Sequence, residues 1–201
     1  MLDTAFADAA RPARRVILNL LMADYSLGHE LLLLQQRNPL VMMNGAEFNA
    51  LPIVAQIQSV TRAALICCRS WSENKGSHRW LGFWRWKNRR ADYPLAIAEF
   101  RNYRESGSTF PNILPPEESG RALGAPYFAR LTAYACARFG ASAMDQPLGL
   151  VQWCYFASSE EEGAVRIPNA AETETIDEVA RLSAEIEAEH AAKMKGITCP
   201  A

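Results

Sequence analysis

The sequence predicts an all-α protein, an irregular bundle of about six to seven helices with a long Pro/Gly-rich connection and an acidic amphipathic helix at its C-terminal end. Three observations carry that prediction. Apolar residues recur at three- and four-residue steps along almost the whole chain, no convincing run of alternating β-branched residues occurs, and Pro and Gly punctuate the apolar stretches at helix-like intervals.

The helical pattern begins at Val16, Leu20 and Leu21. Ser26 is a natural N-cap for a leucine-rich helix from Leu27 to Arg37, which must stop near Asn38 because Pro39 disfavours helical geometry in the residue before it. After an NG turn at Asn44 and Gly45, a helix of about 20 residues is expected to reach Arg69, with Pro52 in its first turn. Its core stripe reads Ile53, Val54, Ile57, Val60, Ala64, Ile66 and Cys67. Residues 72–91 turn polar, basic and aromatic without clear period. Helical signal returns in DYPLAIAEFRNYRESG, opened by Asp92 or Tyr93 ahead of Pro94 and closed by Gly107. Arg101 and Arg104 near its end complement the negative pole of the helix dipole.

Residues 107–126 hold four prolines and three glycines, and form the strongest candidate boundary. They divide the chain into an N-terminal helical lobe (1–106), a connection (107–126) and a C-terminal helical lobe with the acidic helix (127–201). The connection is either a linker between lobes or an arm laid against a partner. PYFARLTAYACARFG reads as a helix stopped by Gly140, and Asp145 with Pro147 opens another that closes at Gly163. The last helix is expected to start near Thr173 or Thr175. It carries Ile176, Val179, Leu182 and Ile186 as a narrow stripe among acids, the pattern of a helix that docks in a groove or pairs with a second helix.

With 201 residues and 49% hydrophobic content the chain can bury a proper core, which excludes general disorder. No apolar run approaches the roughly 20 residues of a bilayer span, so no membrane is expected. No secretory signal pattern is read at the N-terminus, and the expected location is the host-cell cytoplasm or a virion. Cys67, Cys68, Cys136, Cys154 and Cys199 are odd in number and contain no CxxC pair; four of them fall in apolar helical patterns as small buried hydrophobes.

No GxSxG, HExxH, P-loop or GxGxxG pattern occurs, so no catalytic residue, cofactor or metal is assigned. His29 beside Glu30 reads as a helix-surface or capped histidine rather than a general base, and Glu160, Glu161 and Glu162 as a solvated helix end. The net charge of −1 conceals a split: ten Arg or Lys against three acids from Arg62 to Arg104, and ten acids against two arginines from Ser158 to His190. Within the basic block, Trp80, Trp84, Arg85, Trp86, Lys87, Arg89 and Arg90 admit three readings. They form a stacking and phosphate-neutralising surface for single-stranded nucleic acid, a partner-binding surface, or a cover in which tryptophans close the core under arginine stems. The matching acids make half of a complementary pair the favoured description.

The segments GHELLLLQQRNPL, ALICCRSW, AEFRNYRESGSTFP and DQPLGLVQWCYFASSEEEGAVRIPN resemble, in their order and character, proteins of phage and prophage structural gene clusters, of tail assembly chaperone type. The resemblance implies binding to other phage structural or assembly proteins, such as a tape measure protein, without chemistry or cofactor. A homo-oligomer is a further option. The expected contacts are the Trp71 to Arg90 segment and the stripe Ile176, Val179, Leu182 and Ile186. The alternative is a nucleic-acid-binding protein using the basic aromatic segment 79–104.

Overall fold

The computed structural model describes residues 2–10, 15–73, 91–114 and 125–196. It is mostly helical, and the all-α expectation holds. In chain order the elements are α1 (Leu2–Ala10), β1 (Val16–Ile17), β2 (Leu20–Leu21), α2 (Leu27–Gln35), α3 (Pro39–Met42), α4 (Gly45–Asn49), α5 (Ile53–Cys67), α6 (Tyr93–Gly107), α7 (Tyr127–Phe139), a 3-10 helix (Gly140–Asp145), α8 (Leu148–Glu161) and α9 (Ala170–Gly196).

The stretch Val16 to Leu21, expected to open a helix, is a two-stranded antiparallel hairpin instead. Leu18 and Asn19 at its tip both have positive φ, 53° and 61°, as the tight turns that match strand twist require. The hairpin gains its place by packing: Ile17 is buried, and Ala23 N–H just beyond it donates to Cys67 O at 2.8 Å, tying it to the end of α5. Helix α1, which carried no helix signal read from the sequence, lies on α8, where Phe6 meets the Trp153 ring edge-on at 6.1 Å and Ala9 is fully buried.

Helix α2 starts where Ser26 predicted. The Ser26 hydroxyl accepts from His29 N–H at 3.3 Å, and His29 Nδ1 accepts from Ser26 N–H at 3.2 Å, a capping box in which histidine replaces the usual Glu or Gln. Gly28 in its first turn has no room for a side chain: a Cβ there would stand 2.7 Å from the Trp71 ring and 2.8 Å from the Met144 carbonyl. Asn44 caps a separate short helix, α4, rather than making an NG turn, and Pro52 stands just ahead of α5. The expected core stripe of α5 holds from Val60 onward, whereas Ile53 and Val54 are each 57% exposed.

Sequence neighbours on either side of residues 107–126 share one core. Tyr25, Leu33, Phe48, Val60, Phe100 and Tyr103 from the first part join Leu131, Ala135, Leu148 and Val151 from the second. Two backbone bonds seal the junction, Leu27 N–H to Gln146 O at 3.2 Å and Leu148 N–H to Tyr25 O at 2.8 Å. Gly107 ends α6 against the Tyr25 side chain, whose Cβ would lie 2.5 Å from a Cβ at this position.

Helix α9 starts at Ala170, earlier than Thr173. Asn169 Oδ1 accepts from the N–H groups of Ala171 and Glu172 at 3.1 and 3.0 Å, and Glu172 accepts back from Asn169 N–H at 2.9 Å. At 27 residues it is about 40 Å long. From Glu174 to Glu189 only Ile176 is even half-buried.

Candidate functional site

Among the described residues, a buried ionic node in the body concentrates polar chemistry, and the face of α9 carries exposed apolar side chains. The node begins with Glu30, placed among leucines on α2 with its side chain 2% exposed. A carboxylate so enclosed must be partnered, because an isolated charge in an apolar interior loses its hydration without return. Arg104 on α6 supplies the partner as a fork, Nη2 to Oε1 at 2.7 Å and Nε to Oε2 at 3.1 Å. The Tyr25 hydroxyl donates to Oε2 as well.

Burial works against the charged Arg104 guanidinium, but the hydrogen bond and charge of Glu30 outweigh it and hold the group above its ordinary value. Burial, then the Glu30 charge, pushes the Tyr25 hydroxyl well up. Tyr103, edge-on to Tyr25 at 5.3 Å, donates to Ala23 O at 2.7 Å and is pushed up by burial and by Cys67. Arg104 therefore stays charged, and Tyr25 and Tyr103 keep their protons, through the neutral range. They tie α2, α6 and the hairpin exit together, a structural task.

A cleft of about 350 Å³ opens beside the node, lined by Asp24, Ser26, His29, Cys68, Ser70 and Asp145 among others. Serine, histidine and aspartate in one cleft raise the question of nucleophilic catalysis, and the hydrogen bonds answer it. His29 Nε2 donates to Arg69 O at 2.7 Å, while Nδ1 faces both the Ser26 N–H at 3.2 Å and the Ser26 hydroxyl at 3.1 Å, so the ring is held within the α2 cap and no carboxylate orients it. Ser26, 1% exposed, uses its oxygen as the helix cap. Asp145 accepts from Ser72 N–H at 3.0 Å. Burial lowers the His29 proton affinity, against the pull of the Arg69 carbonyl. His29 is therefore a buried cap, not the surface histidine that was one of the two expectations. Among the described residues no group of His, Cys, Asp and Glu could hold a metal ion.

Of the sequence-predicted partner residues, Trp80, Trp84, Arg85, Trp86, Lys87, Arg89 and Arg90 lie outside the described residues. Ile176 is half-buried, and Val179, Leu182 and Ile186 are 57%, 44% and 58% exposed on α9. Two of the described cations of the basic block are used inside the body: Arg101 lies over the Phe48 ring at 5.1 Å, and Arg104 holds Glu30 rather than merely facing a helix dipole, whereas Arg62 and Arg69 are exposed. The described ion pairs of the acidic block are local, Arg166 with Glu172 at 2.6 Å and Arg181 with both Glu178 and Glu185 at 2.6 Å. These ion pairs among the described residues do not join the two blocks.

The cysteines divide differently from the sequence expectation: Cys67 is buried, Cys68 and Cys154 are half-buried, and Cys136 is exposed. Sequence reasoning also missed the Glu30–Arg104 pair, 74 residues apart. The available signal was Glu30 itself, a charge in a run of leucines. Among the described residues, no helix is long and apolar enough to cross a membrane. Comparison of the chain with protein-family models, curated proteins and solved structures finds no match.

Proposed function

We propose that this is a non-enzymatic phage or prophage morphogenesis protein, which assists tail assembly or forms part of the virion by holding other structural or assembly proteins. The observation that carries the reading is α9, a helix of about 40 Å whose apolar stripe Val179, Leu182 and Ile186 faces outward from a body that already has its own closed core. Apolar residues on a protruding helix match helix-in-groove recognition. The phage setting comes from the resemblance of the quoted sequence segments. The commitment of Ser26 and His29 to backbone capping supports a role without acyl-transfer chemistry.

Co-expression of the full chain with the products of its flanking genes tests this reading. At least one product should co-purify, and Val179→Ser/Leu182→Ser should release it. A chain that stays alone with every flanking product overturns the proposal. The nucleic-acid reading is weaker on one specific ground: Arg101 and Arg104, two of the cations in the 79–104 segment, are engaged by Phe48 and Glu30.

A further inference from the structure

We infer that α9 seats in an apolar groove of a different protein, and that the rim of that groove carries lysine or arginine. The inference rests on the proposed function and names the chemistry of the partner. At about 3.6 residues per turn, Val179 and Ile186 stand near the centre of the stripe, with Ile176 on one border and Leu182 on the other. Glu187 follows on the Ile176 side, and Glu178, Glu185 and Glu189 follow on the Leu182 side. From Ala171 to Glu189 the helix has seven acids and one arginine, a net charge of −6. Arg181 neutralises only part of its flank, since it is shared between Glu178 and Glu185.

Charge separates a second copy of α9, a lipid surface and a groove of another protein as occupants of such a stripe. A second copy of α9 would bring two helices of like charge side by side, with only four apolar residues from each to offset the repulsion. That contact is also far smaller than the roughly 20–30 residues a side of a standard stable interface. A lipid surface favours amphipathic helices whose polar face is basic, whereas this one is acidic. A groove that wraps more of the helix and sets cations against both acidic flanks satisfies the apolar and the charged residues together.

The test uses the full chain, purified, and the separately purified products of its flanking genes, with binding measured by titration. Glu185→Gln/Glu187→Gln/Glu189→Gln keeps helix propensity and the stripe while removing three negative charges. The expected result is binding at least ~10-fold weaker for this variant, and likewise for the unaltered chain when salt rises from about 0.05 M to about 0.5 M, with loss of binding in Val179→Ser/Leu182→Ser. If the stripe variant loses binding while the charge variant binds as tightly as the unaltered chain, the basic rim is overturned and the proposed function stands. Absence of binding by any flanking product overturns both. A dimer in sedimentation that dissociates on Val179→Ser/Leu182→Ser, or co-sedimentation of the chain with phosphatidylcholine vesicles, overturns the inference in favour of a second copy or a membrane.

Discussion

In the body, Glu30 is enclosed by leucines and both its oxygens are taken up by Arg104 and Tyr25, while on α9 acids and apolar side chains alike face solvent. The two regions place the same residue types in opposite surroundings. In the node a single carboxylate joins elements 74 residues apart, because in a dry site every lone pair has to be met by a donor. On α9 the charged pairs are local, three or four residues apart, and water screens them, so they add little to stability. The node holds the fold together; α9 leaves its apolar surface available.

Removing Arg104 is the strongest way to break this contrast. Arg104→Ala leaves Glu30 buried with a tyrosine hydroxyl as its remaining donor, and the loss is expected to reach about 3–5 kcal/mol in urea unfolding. Glu30→Ala should cost less, because the Arg104 side chain is 34% exposed and its stranded charge can reach water. A loss below about 1 kcal/mol in Arg104→Ala would put the node in the same class as a surface pair and erase the distinction.

A milder probe of the body is acid. Burial depresses the proton affinity of His29 in the folded state below the ordinary 6.5, so the unfolded chain binds the proton more readily. The stability from neutral His29 is therefore fully present above pH ~6.5 and declines as pH falls through the depressed folded value. A proton on Nδ1 would also face the Ser26 N–H that this nitrogen now accepts. Urea midpoints measured across this range should fall toward acid in the unaltered chain and fall less in His29→Asn. An equal slope in both would show that the cap does not sense pH.

The node and α9 were also unequally legible in the sequence. Residues that act on their near neighbours could be read directly: Ser26 as a cap, Gly107 and Gly140 as stops, Pro147 as an opener, and Val179, Leu182 and Ile186 as a stripe. What could not be read depends on distant partners. Leu18 adopts positive φ against its own preference because Ile17 packs into the core and the hairpin exit bonds to Cys67. Glu30 finds Arg104 only after α2 and α6 have met. Ile53 and Val54 fit a core stripe by spacing but face solvent, because spacing marks one face of a helix without saying whether another element covers it.

The smallest expected effect is the one that separates the two regions. Val179→Ser and Leu182→Ser replace side chains that are 57% and 44% exposed, on a stretch of α9 that contributes no member to the buried core. A surface change of this kind ordinarily stays within about 0.5 kcal/mol, with some of that coming from the lower helix propensity of serine. The unfolding midpoint of the body should therefore hardly move, while the same substitutions release a bound protein. A drop of more than about 2 kcal/mol would mean that α9 packs on the body in solution, and its stripe would then belong to the fold rather than to a partner. An unchanged midpoint together with lost binding would establish that the stripe is kept for association, since it adds nothing measurable to the stability of the chain that carries it.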